Sequence, residues 1–317
     1  MRYYLAPMEG VTGRIFRNAY HAFFCPMDKY FAPFITPNPD GGIGPKDMRD
    51  IAMEHDTGIT LIPQILTNQA DGFILTARTL AQMGFTEINL NLGCPSGTVV
   101  SKGRGSGFLA HPKELDQFLY EIFSKLDLKI SVKTRLGKER EEEFEAVLEI
   151  YNRYPIEELI IHPRVREDYY RGSPHMEAFH RAFAHSEAPV CYNGDIFSPS
   201  DLRRLTDRQP SLDRVMLGRG IVTDPGLLEQ IKSGNPITKE RFLGFHDHLY
   251  QSFKGFFLPI SGERVVLYKM KEYWSYMIAM FPDSKKWRKK IQRSQTLQAY
   301  EEAVAALFRE CTFYVEP

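Results

Sequence analysis

The sequence predicts an α/β fold, a (β/α)8 TIM barrel followed by a small C-terminal helical-bundle domain. Three observations lead to this prediction. Short apolar segments alternate with segments of helical spacing over roughly 230 residues, which is typical of a parallel sheet covered by helices. Polar and charged side chains recur where the apolar segments end. After residue 236 the apolar segments stop and only helical spacing continues.

The eight predicted strands are short, rich in apolar residues and bounded by glycine, proline or polar residues. They cover residues 3–7, 29–35, 61–66, 87–92, 129–136, 158–163, 189–193 and 214–217. This number of strands is typical of a barrel. A doubly wound open sheet is the alternative, but it usually has fewer strands and an early glycine fingerprint, which this sequence lacks.

Helical spacing is clearest in six segments between these strands. In two of them, Ser198-Pro199 and Asp224-Pro225 place a capping side chain directly before a proline, which is favoured at the first helical position. The six predicted helices cover residues 13–24, 68–83, 112–126, 139–154, 198–208 and 225–232.

The change of pattern near Gly234-Asn235-Pro236 predicts two domains. Residues 1–236 would form the barrel, and residues 237–317 a small helical domain. Four helices are predicted in the second domain, over residues 246–257, 263–280, 284–293 and 297–309, with Pro259 and Pro282 as helix breakers.

Composition excludes several classes of protein. The chain has 317 residues, 43% of them hydrophobic and 25% charged, as in an ordinary globular protein. It has no apolar run near the ~20 residues of a membrane span, and its start lacks a signal-peptide core. The four cysteines contain no CxxC pair, which argues against a zinc site or a disulfide framework. We therefore expect a cytoplasmic protein, monomeric and without a metal, a membrane or a protein partner.

The net charge of zero hides a basic segment in the predicted helical domain. Nine basic and two acidic residues lie between Arg264 and Arg293. A basic segment on an otherwise acidic chain favours a polyanionic partner such as nucleic acid. The alternative is a solvated helix face that keeps the protein soluble. Aromatic residues among these lysines are more typical of a core than of base-stacking surfaces.

Chemically versatile residues accumulate where most of the predicted strands finish. In a barrel, the ends of all strands converge on one rim, where barrel active sites lie. The residues in question are Met8, Glu9, Gly10, Gln64, Asn91, Cys94, Lys133, Arg135, His162, Arg164, Asn193, Gly194, Asp195, Gly218, Arg219 and Gly220.

Cys94 lies where a buried strand changes into a loop. Gly93 and Pro95 end the strand, and a basic, glycine-rich loop follows at residues 102–107. A thiol near positive charge has a lowered pKa and can serve as an acid or a nucleophile. The alternative is a small buried core residue, as most unpaired cysteines are, and the motif alone leaves both interpretations open.

The remaining rim residues suit a flavin mononucleotide. Gly218 and Arg219, beside the turn at residues 193–195, could hold a phosphate between the loops after strands seven and eight. Lys133 and His162 could supply positive charge and hydrogen bonds to an electron-rich ring, and Gln64 could pair with its amide edge. Cys94 would then donate a proton from the opposite side. Without a dinucleotide fingerprint, a nicotinamide cofactor would bind only transiently.

Five segments resemble the tRNA-dihydrouridine synthase family. They are Leu-Ala-Pro-Met-Glu-Gly-Val-Thr at residues 5–12, Asn-Leu-Gly-Cys-Pro-Ser at 91–96, Val-Lys-Thr-Arg-Leu-Gly at 132–137, Asn-Gly-Asp at 193–195 and Gly-Arg-Gly at 218–220. The resemblance extends in order from residue 3 to about residue 235, and the tail matches more loosely. The sequence departs from the usual pattern at Glu9, Arg104 and Pro163, and it lacks the Asp-Trp that often follows residues 169–172.

The resemblance implies an FMN enzyme that reduces the C5–C6 bond of uridines in tRNA, with NADPH as the electron source. Hydride would be delivered to C6, and Cys94 would protonate C5. The implied flavin contacts are Pro7, Met8, Glu9, Gln64, Lys133, His162, Asn193, Gly194, Asp195, Gly218 and Arg219. The implied contacts to the uridine and the tRNA are Asn91, Arg135, Tyr170, Lys269 and Lys271.

Two other functions fit part of the sequence. One is an FMN barrel that acts on a small pyrimidine, similar to dihydroorotate dehydrogenase. The other is an RNA-binding protein on an inactive barrel. The basic helical tail favours the tRNA enzyme over the first, and the presence of Cys94, Lys133 and His162 favours it over the second.

Overall fold

The fold is a parallel β-barrel with helices between its strands. The computed structural model describes residues 1–38, 40–52 and 58–314. Within these residues the nine strands are β1 (Arg2–Leu5), β2 (Lys29–Phe31), β3 (Leu61–Ile62), β4 (Gln64–Ile65), β5 (Glu87–Leu92), β6 (Lys129–Gly137), β7 (Leu159–Val165), β8 (Val190–Tyr192) and β9 (Arg214–Leu217).

The strand order is β3-β2-β1-β9-β8-β7-β6-β5-β4, and every pair is parallel. The strand predicted over residues 61–66 is divided into β3 and β4 at Pro63, which has no backbone N–H to donate to a ladder. Because β3 pairs with β2 and β4 pairs with β5, this divided strand joins both ends of the sheet. The predicted eight-part barrel is confirmed.

Apolar side chains fill the barrel interior. A buried cluster takes residues from β1, β2, β3, β7, β8 and β9 or directly beside them, and burying such side chains is the main favourable term in folding. Its members are Tyr4, Ala6, Phe31, Ile62, Ile160, Cys191 and Met216. Side chains on one face of each strand lie in the barrel interior, and helices cover those on the other face. The strands are therefore rich in apolar residues on both faces.

Charged side chains lie at the N-terminal ends of the strands, away from the rim. Lys29 Nζ is 2.7 Å from Glu87 Oε2 and 3.0 Å from Glu158 Oε1. The Tyr4 hydroxyl donates to the same Glu158 oxygen at 2.9 Å, and Arg214 lies 3.3 Å from it. Residues at this end of a barrel contribute to stability and not to chemistry.

All ten predicted helices are present in the described part of the chain, some with shifted ends. The helices are α1 (Arg14–Phe23), α2 (Pro45–Ile51), α3 (Ala70–Gln82), α4 (Gly97–Val100), α5 (Pro112–Lys125), α6 (Glu143–Tyr151), α7 (Met176–His185), α8 (Pro199–Arg208), α9 (Arg219–Thr223), α10 (Leu227–Ser233), α11 (Lys239–Ser261), α12 (Glu263–Met277), α13 (Lys285–Arg293) and α14 (Leu297–Glu310). Among the described residues, none of them is long and apolar enough to cross a membrane.

Two predictions about helix ends are wrong. Asp224 does not cap α10, because its carboxylate accepts the Gly226 N–H at 2.8 Å and the helix starts at Leu227. Pro259 does not end α11, which continues to Ser261. A proline removes one backbone hydrogen bond, and here the loss falls in the last turn of the helix. The helix ends instead at Gly262, whose φ of +73° favours glycine.

The chain divides into two compact units. The first consists of Met1–Pro7, Asp28–Asp195 and Thr206–Leu217 and contains the nine described strands. The second consists of Met8–Met27, Ile196–Leu205 and Gly218–Pro317. The sequence boundary between residues 236 and 237 stays a prediction.

Within the second unit, aromatic side chains form the core. Phe16 of α1 packs against Phe245 of α11, with ring centroids 6.1 Å apart. The Tyr300 hydroxyl lies 2.7 Å from His246 Nε2 and accepts the Trp274 indole N–H at 2.8 Å. As predicted, most aromatics of this segment are core residues.

Candidate active site

Cys94 lies on a turn directly after β5. The carboxamide oxygen of Asn91 accepts the backbone N–H groups of Gly93 and Cys94, each at 3.0 Å. The strand can therefore end abruptly without leaving these two donors unpaired. The sequence left open whether Cys94 is a rim residue or a buried core residue. Cys94 is half-buried, which favours the rim.

The loop after Cys94 fixes its other side. Ser106 donates to the Cys94 carbonyl twice, from its N–H at 3.1 Å and from its hydroxyl at 2.8 Å. Gly105 has a φ of +56°, and a Cβ there would lie 2.8 Å from the same carbonyl oxygen. Only glycine suits this position. The Cys94 backbone is thus held on both sides.

Side-chain amides next to this turn form a chain of hydrogen bonds. Asn91 donates to Gln64 Oε1 at 2.8 Å, Gln64 donates to Asn89 Oδ1 at 2.7 Å, and Asn89 donates to Ser131 Oγ at 2.9 Å. Gln64 is fully buried and Asn91 almost so. These contacts give both amides a positioning role, and their predicted contacts to flavin and uridine stay predictions.

Arg135 is also a positioning residue in this structure. Its guanidinium is buried and donates to three backbone carbonyls: Gly93 at 3.0 Å, Val165 at 2.9 Å and Tyr169 at 2.7 Å. Burial is the main reason that its pKa is lowered. The predicted contact with the substrate would have to use the donors that remain, and it stays a prediction.

Lys133 lies beside Asn91 in the register of β5 and β6. Desolvation, together with the positive charge of Arg135, lowers the pKa of Lys133 to about 8. Within the described part of the chain, its ammonium has no carboxylate at ion-pair distance. A desolvated cation without an anionic partner is costly, and an anionic or electron-rich ligand would stabilise it.

His162 is held by Arg164 from the same face of β7. Arg164 Nη1 lies 3.1 Å from His162 Nε2. Because a guanidinium can only donate, Nε2 is the acceptor and the hydrogen of the neutral ring lies on Nδ1. Arg164 is fully buried and also binds both carboxylate oxygens of Asp195, at 3.2 and 2.6 Å.

The turn after β8 needs its glycine. A Cβ on Gly194 would lie 2.0 Å from the hydroxyl oxygen of Tyr192, so any side chain would displace that ring. Asn193 donates to the Met216 carbonyl at 2.9 Å, which ties the turn to β9. The turn therefore presents mainly backbone groups.

Two tyrosines follow β7. Tyr170 is 53% exposed, and its ring lies 6.0 Å from the His162 ring and 5.4 Å from the Arg135 guanidinium. Its neighbour Tyr169 has a φ of +51°, which is unusual for a residue with a side chain. These distances place Tyr170 beside His162 and Arg135, and its predicted contact with the uridine stays a prediction.

A sequence profile of the dihydrouridine synthase (Dus) family matches residues 4–312, nearly the whole chain. The chain belongs to the dihydrouridine synthase family. The tRNA-dihydrouridine synthase B of Yersinia pestis is 28% identical over 230 residues, which cover 72% of this chain and 70% of that protein. The tRNA-dihydrouridine synthase B of Pasteurella multocida is 26% identical over 233 residues, or 73% and 69% of the two chains.

Solved structures agree on the fold of this dihydrouridine synthase family member. A variant of NCR from Zymomonas mobilis superimposes with a TM-score of 0.55 at 13% identity, over 77% of this chain and 90% of that one. Morphinone reductase in complex with tetrahydroNAD gives a TM-score of 0.53 at 11% identity, over 78% and 93%. At such identities the likeness concerns the fold alone.

The second unit contains four further residues predicted to bind the cofactor of this family member. Met8 N–H donates to Thr12 Oγ1 at 2.7 Å, and Glu9 beside it is exposed. Gly218 precedes α9, and the Arg219 guanidinium lies 5.5 Å from the Phe197 ring centroid. Pro7, in the first unit, is half-buried. The cofactor contacts of these residues stay predictions.

The two lysines predicted to hold tRNA have internal partners. Lys269 donates to the Gly10 carbonyl at 2.8 Å and lies 3.6 Å from Glu272. Lys271 donates to the Ser294 carbonyl, and burial lowers its pKa. Long basic side chains often lie along a surface in this way, which sequence spacing does not reveal. A tRNA contact of either lysine has to compete with these bonds.

Two residues of the candidate site have roles that sequence reasoning did not assign. Arg164 is among the predicted rim residues, but its contact with His162 was not predicted, although the two-residue spacing places both on one face of a strand. Ser106 carried no signal, because its role depends on the path of the loop back to Cys94. Among the described residues, no cluster of side chains could hold a metal ion.

Proposed function

We propose that this protein is a flavin-dependent oxidoreductase that reduces the C5–C6 double bond of uridines in tRNA, with Cys94 as the proton donor to C5. Family membership supports the reaction. The observation that carries the assignment of Cys94 is its turn, in which Asn91, Arg135 and Ser106 fix the backbone around a half-buried thiol.

The residues of the rim fit FMN. The strongest indication is the Lys133 ammonium, which is half-buried on β6 beside Asn91 and lacks an anionic partner among the described residues. Lys133, His162 and the turn at residues 193–195, all of them in the first unit, would hold the cofactor. When bound and reduced by NADPH, the flavin would supply the hydride that adds to C6 of the uracil ring.

Asp195 would repel a phosphate if its charge were uncompensated. Arg164 forms a two-pronged ion pair with this carboxylate and has no exposed surface of its own. The pair is close to neutral as a whole, so the backbone N–H groups of the neighbouring turn can face an anion. Arg164 would thus support both His162 and the phosphate end of the cofactor.

Cys94 would hold the proton on Sγ until C5 gains electron density. General acids of this kind contribute typically 10²–10⁴-fold to a rate. The backbone on both sides of Cys94 is hydrogen-bonded, so the thiol reaches C5 by side-chain rotation without moving the turn. Partial exposure lets solvent return the proton after each turnover.

The basic face of α13 supports tRNA as the substrate. This helix of nine residues has six basic residues and no acidic one. Lys289, Lys290 and Arg293 line a groove of about 520 Å³ beside α14. Phosphate groups bind best to such clusters of exposed cations. We therefore assign the main tRNA contact to α13, with Lys269 and Lys271 as secondary contacts.

The family resemblance supports NADPH as the electron donor. The scattered cysteines support a cytoplasmic location, where we propose that the protein acts as a monomer without a protein partner. The uridine must also leave its stack to reach a rim residue, as in other enzymes that act on bases.

The test is reoxidation of the reduced flavin in the absence of oxygen. Purified holoenzyme is photoreduced and mixed with unmodified tRNA transcript, with tRNA that already contains dihydrouridine, or with orotate. Reoxidation by the unmodified transcript alone, with one dihydrouridine formed per flavin, is expected. Reoxidation by orotate alone would move the protein to the small-pyrimidine class, and a protein without flavin would refute the proposal.

The role of Cys94 is tested with Cys94→Ala and the matched control Cys25→Ala, since Cys25 is also half-buried. Cys94→Ala should retain flavin and NADPH oxidation and lose uridine reduction by at least about 10²-fold. Cys25→Ala should behave as wild type. Equal turnover of both variants would remove Cys94 from the mechanism.

A further inference from the structure

Tyr169 has a backbone conformation that normally requires glycine. It is the one non-glycine residue with positive φ in the described ranges, at φ 51° and ψ −96°. It lies at the second position of a turn that is closed by a 2.8 Å hydrogen bond from Arg171 N–H to the Asp168 carbonyl. Turns of this geometry prefer glycine there, so the tyrosine is strained.

Buried arginines hold this turn in place. Arg135 donates to the Tyr169 carbonyl at 2.7 Å. Arg164 donates to the carbonyls of Arg171 at 3.3 Å and Gly172 at 2.5 Å. A strained conformation persists only where its surroundings enforce it, and strain of this kind is concentrated at functional sites.

The side chains of the turn point into solvent with cations beside their rings. Tyr169 is 37% exposed, and the Arg166 guanidinium lies 5.0 Å from its ring centroid. Arg166 also donates to the Tyr169 hydroxyl at 2.8 Å, which limits rotation of the ring. Exposed aromatic rings and guanidinium planes are the surfaces on which proteins stack unpaired nucleobases.

Arg135 connects this turn to the proton donor. The same guanidinium binds the carbonyl of Gly93, the residue before Cys94, and the carbonyl of Tyr169. The backbone of Tyr169 is therefore held relative to the Cys94 turn, and the hydrogen bond from Arg166 to its hydroxyl orients the ring. If a uridine reacts at Cys94, this arrangement suits binding of the nucleotide next to it in the chain.

We propose that Tyr169 determines substrate specificity by stacking on a nucleobase adjacent to the target uridine in the tRNA. A uridine that leaves its stack exposes one face of its neighbour, and a rigid aromatic ring can replace the lost stacking. The inference rests on the proposed function, since it assigns a subsite of the same reaction. Tyr169 would contribute binding and not chemistry.

The test combines kinetics with stability. Tyr169→Gly removes both the ring and the strain, so the melting temperature should rise while KM for unmodified tRNA rises roughly 10- to 100-fold. The value of kcat at saturating tRNA should stay within about twofold. Tyr169→Phe should have a KM close to that of wild type, because the phenylalanine ring still stacks. Tyr120→Ala, which removes a tyrosine exposed on α5, should change neither constant.

Several results would overturn the inference. A KM within twofold of wild type in Tyr169→Gly would show that no base stacks there. A loss of both melting temperature and kcat would show a structural role. The dissociation constant for unmodified tRNA without reductant is measured on the same variants. Wild-type protein that binds tRNA with Tyr169-dependent affinity but reduces no uridine would refute the proposed reaction and leave the subsite standing.

Discussion

Arg135 Nε donates to the Gly93 carbonyl at 3.0 Å, one residue before the proposed proton donor. The opposite edge of the same guanidinium binds the carbonyls of Val165 and Tyr169. One buried side chain therefore spans the loops after β5 and β7. Lysine has the same charge, but its single nitrogen cannot span three carbonyls.

Replacing Arg135 by lysine should lower kcat about 10²-fold, because a small displacement of the proton donor is enough for a loss of that size. Flavin content should not change. The measurement is single-turnover reduction of tRNA by prereduced enzyme. Arg153→Lys, at a surface ion pair with Asp116, is the control. A wild-type rate for Arg135→Lys would contradict the positioning role.

Flavin affinity should depend on pH through Lys133. Its pKa is lowered to about 8, so in the protein without flavin the ammonium is charged below this value and loses its proton as the pH rises through it. An anionic ligand favours the charged form. The affinity of wild type for FMN should therefore fall about tenfold between pH 7 and pH 9.5.

The Lys133 prediction is measured by titrating apoprotein with FMN at several pH values. Lys133→Met should bind weakly and without this pH dependence. Lys133→Arg keeps its charge throughout the range and should show no loss at high pH. Identical pH profiles for wild type and Lys133→Met would show that another group is responsible.

Reversing charges on α13 should weaken tRNA binding in a salt-dependent way. Lys289→Glu with Arg293→Glu removes two cations from the groove beside α14. The slope of log affinity against log salt should fall in magnitude by about 2, one for each lost phosphate contact. Lys113→Glu with Arg208→Glu, at exposed positions on α5 and α8, is the control. An unchanged slope would exclude α13 as the main contact.

Asp224 should make the protein less stable as the pH rises. Burial raises the pKa of its carboxyl to about 6, above the ordinary value near 4 that it has in the unfolded chain. A raised folded-state pKa contributes stability that is complete below about pH 4 and is lost as the pH passes 6. Asp224→Asn cannot ionise and avoids this loss.

The free energy of unfolding of Asp224→Asn relative to wild type should therefore increase by about 1–3 kcal/mol between pH 4.5 and pH 7.5. Urea denaturation at the two pH values measures it. Asp207→Asn, at an exposed position of α8, should show no such change. A pH-independent difference between Asp224→Asn and wild type would contradict the assignment.

Sequence reasoning predicted the barrel, because the alternation of buried strands and amphipathic helices is a local signal. It also drew attention to polar residues near the carboxyl ends of the strands, although Lys133, His162 and Arg164 lie within strands, and their roles stay predictions. It missed α7, and it misplaced the start of α11, where Thr238 accepts the Arg241 N–H at 3.2 Å as an N-cap. The first error omits a whole helix, and the second overlooks a local side-chain cap, so tertiary contacts alone explain neither.

The partners of the rim side chains were not predictable. Asn91 and Arg135 carry groups that suit a substrate, yet their amide and guanidinium groups are directed to backbone carbonyls and N–H groups nearby. Lys269 and Lys271 were expected to be exposed and have internal acceptors instead. The residue type determines which hydrogen bonds a side chain can form, whereas the fold determines which partner it binds.

The pairing of β1 with β9 has a consequence for synthesis of the chain. Arg2 aligns with Arg214, so the first strand meets one of its two neighbours only after almost the whole barrel has been made. At translation rates of about 5–20 residues per second, β1 waits roughly 10–40 s for that partner. During this interval its apolar residues and one row of peptide groups lack their final cover. The nascent chain is therefore most vulnerable to aggregation before residue 217 emerges, and slower elongation of this region would extend that risk.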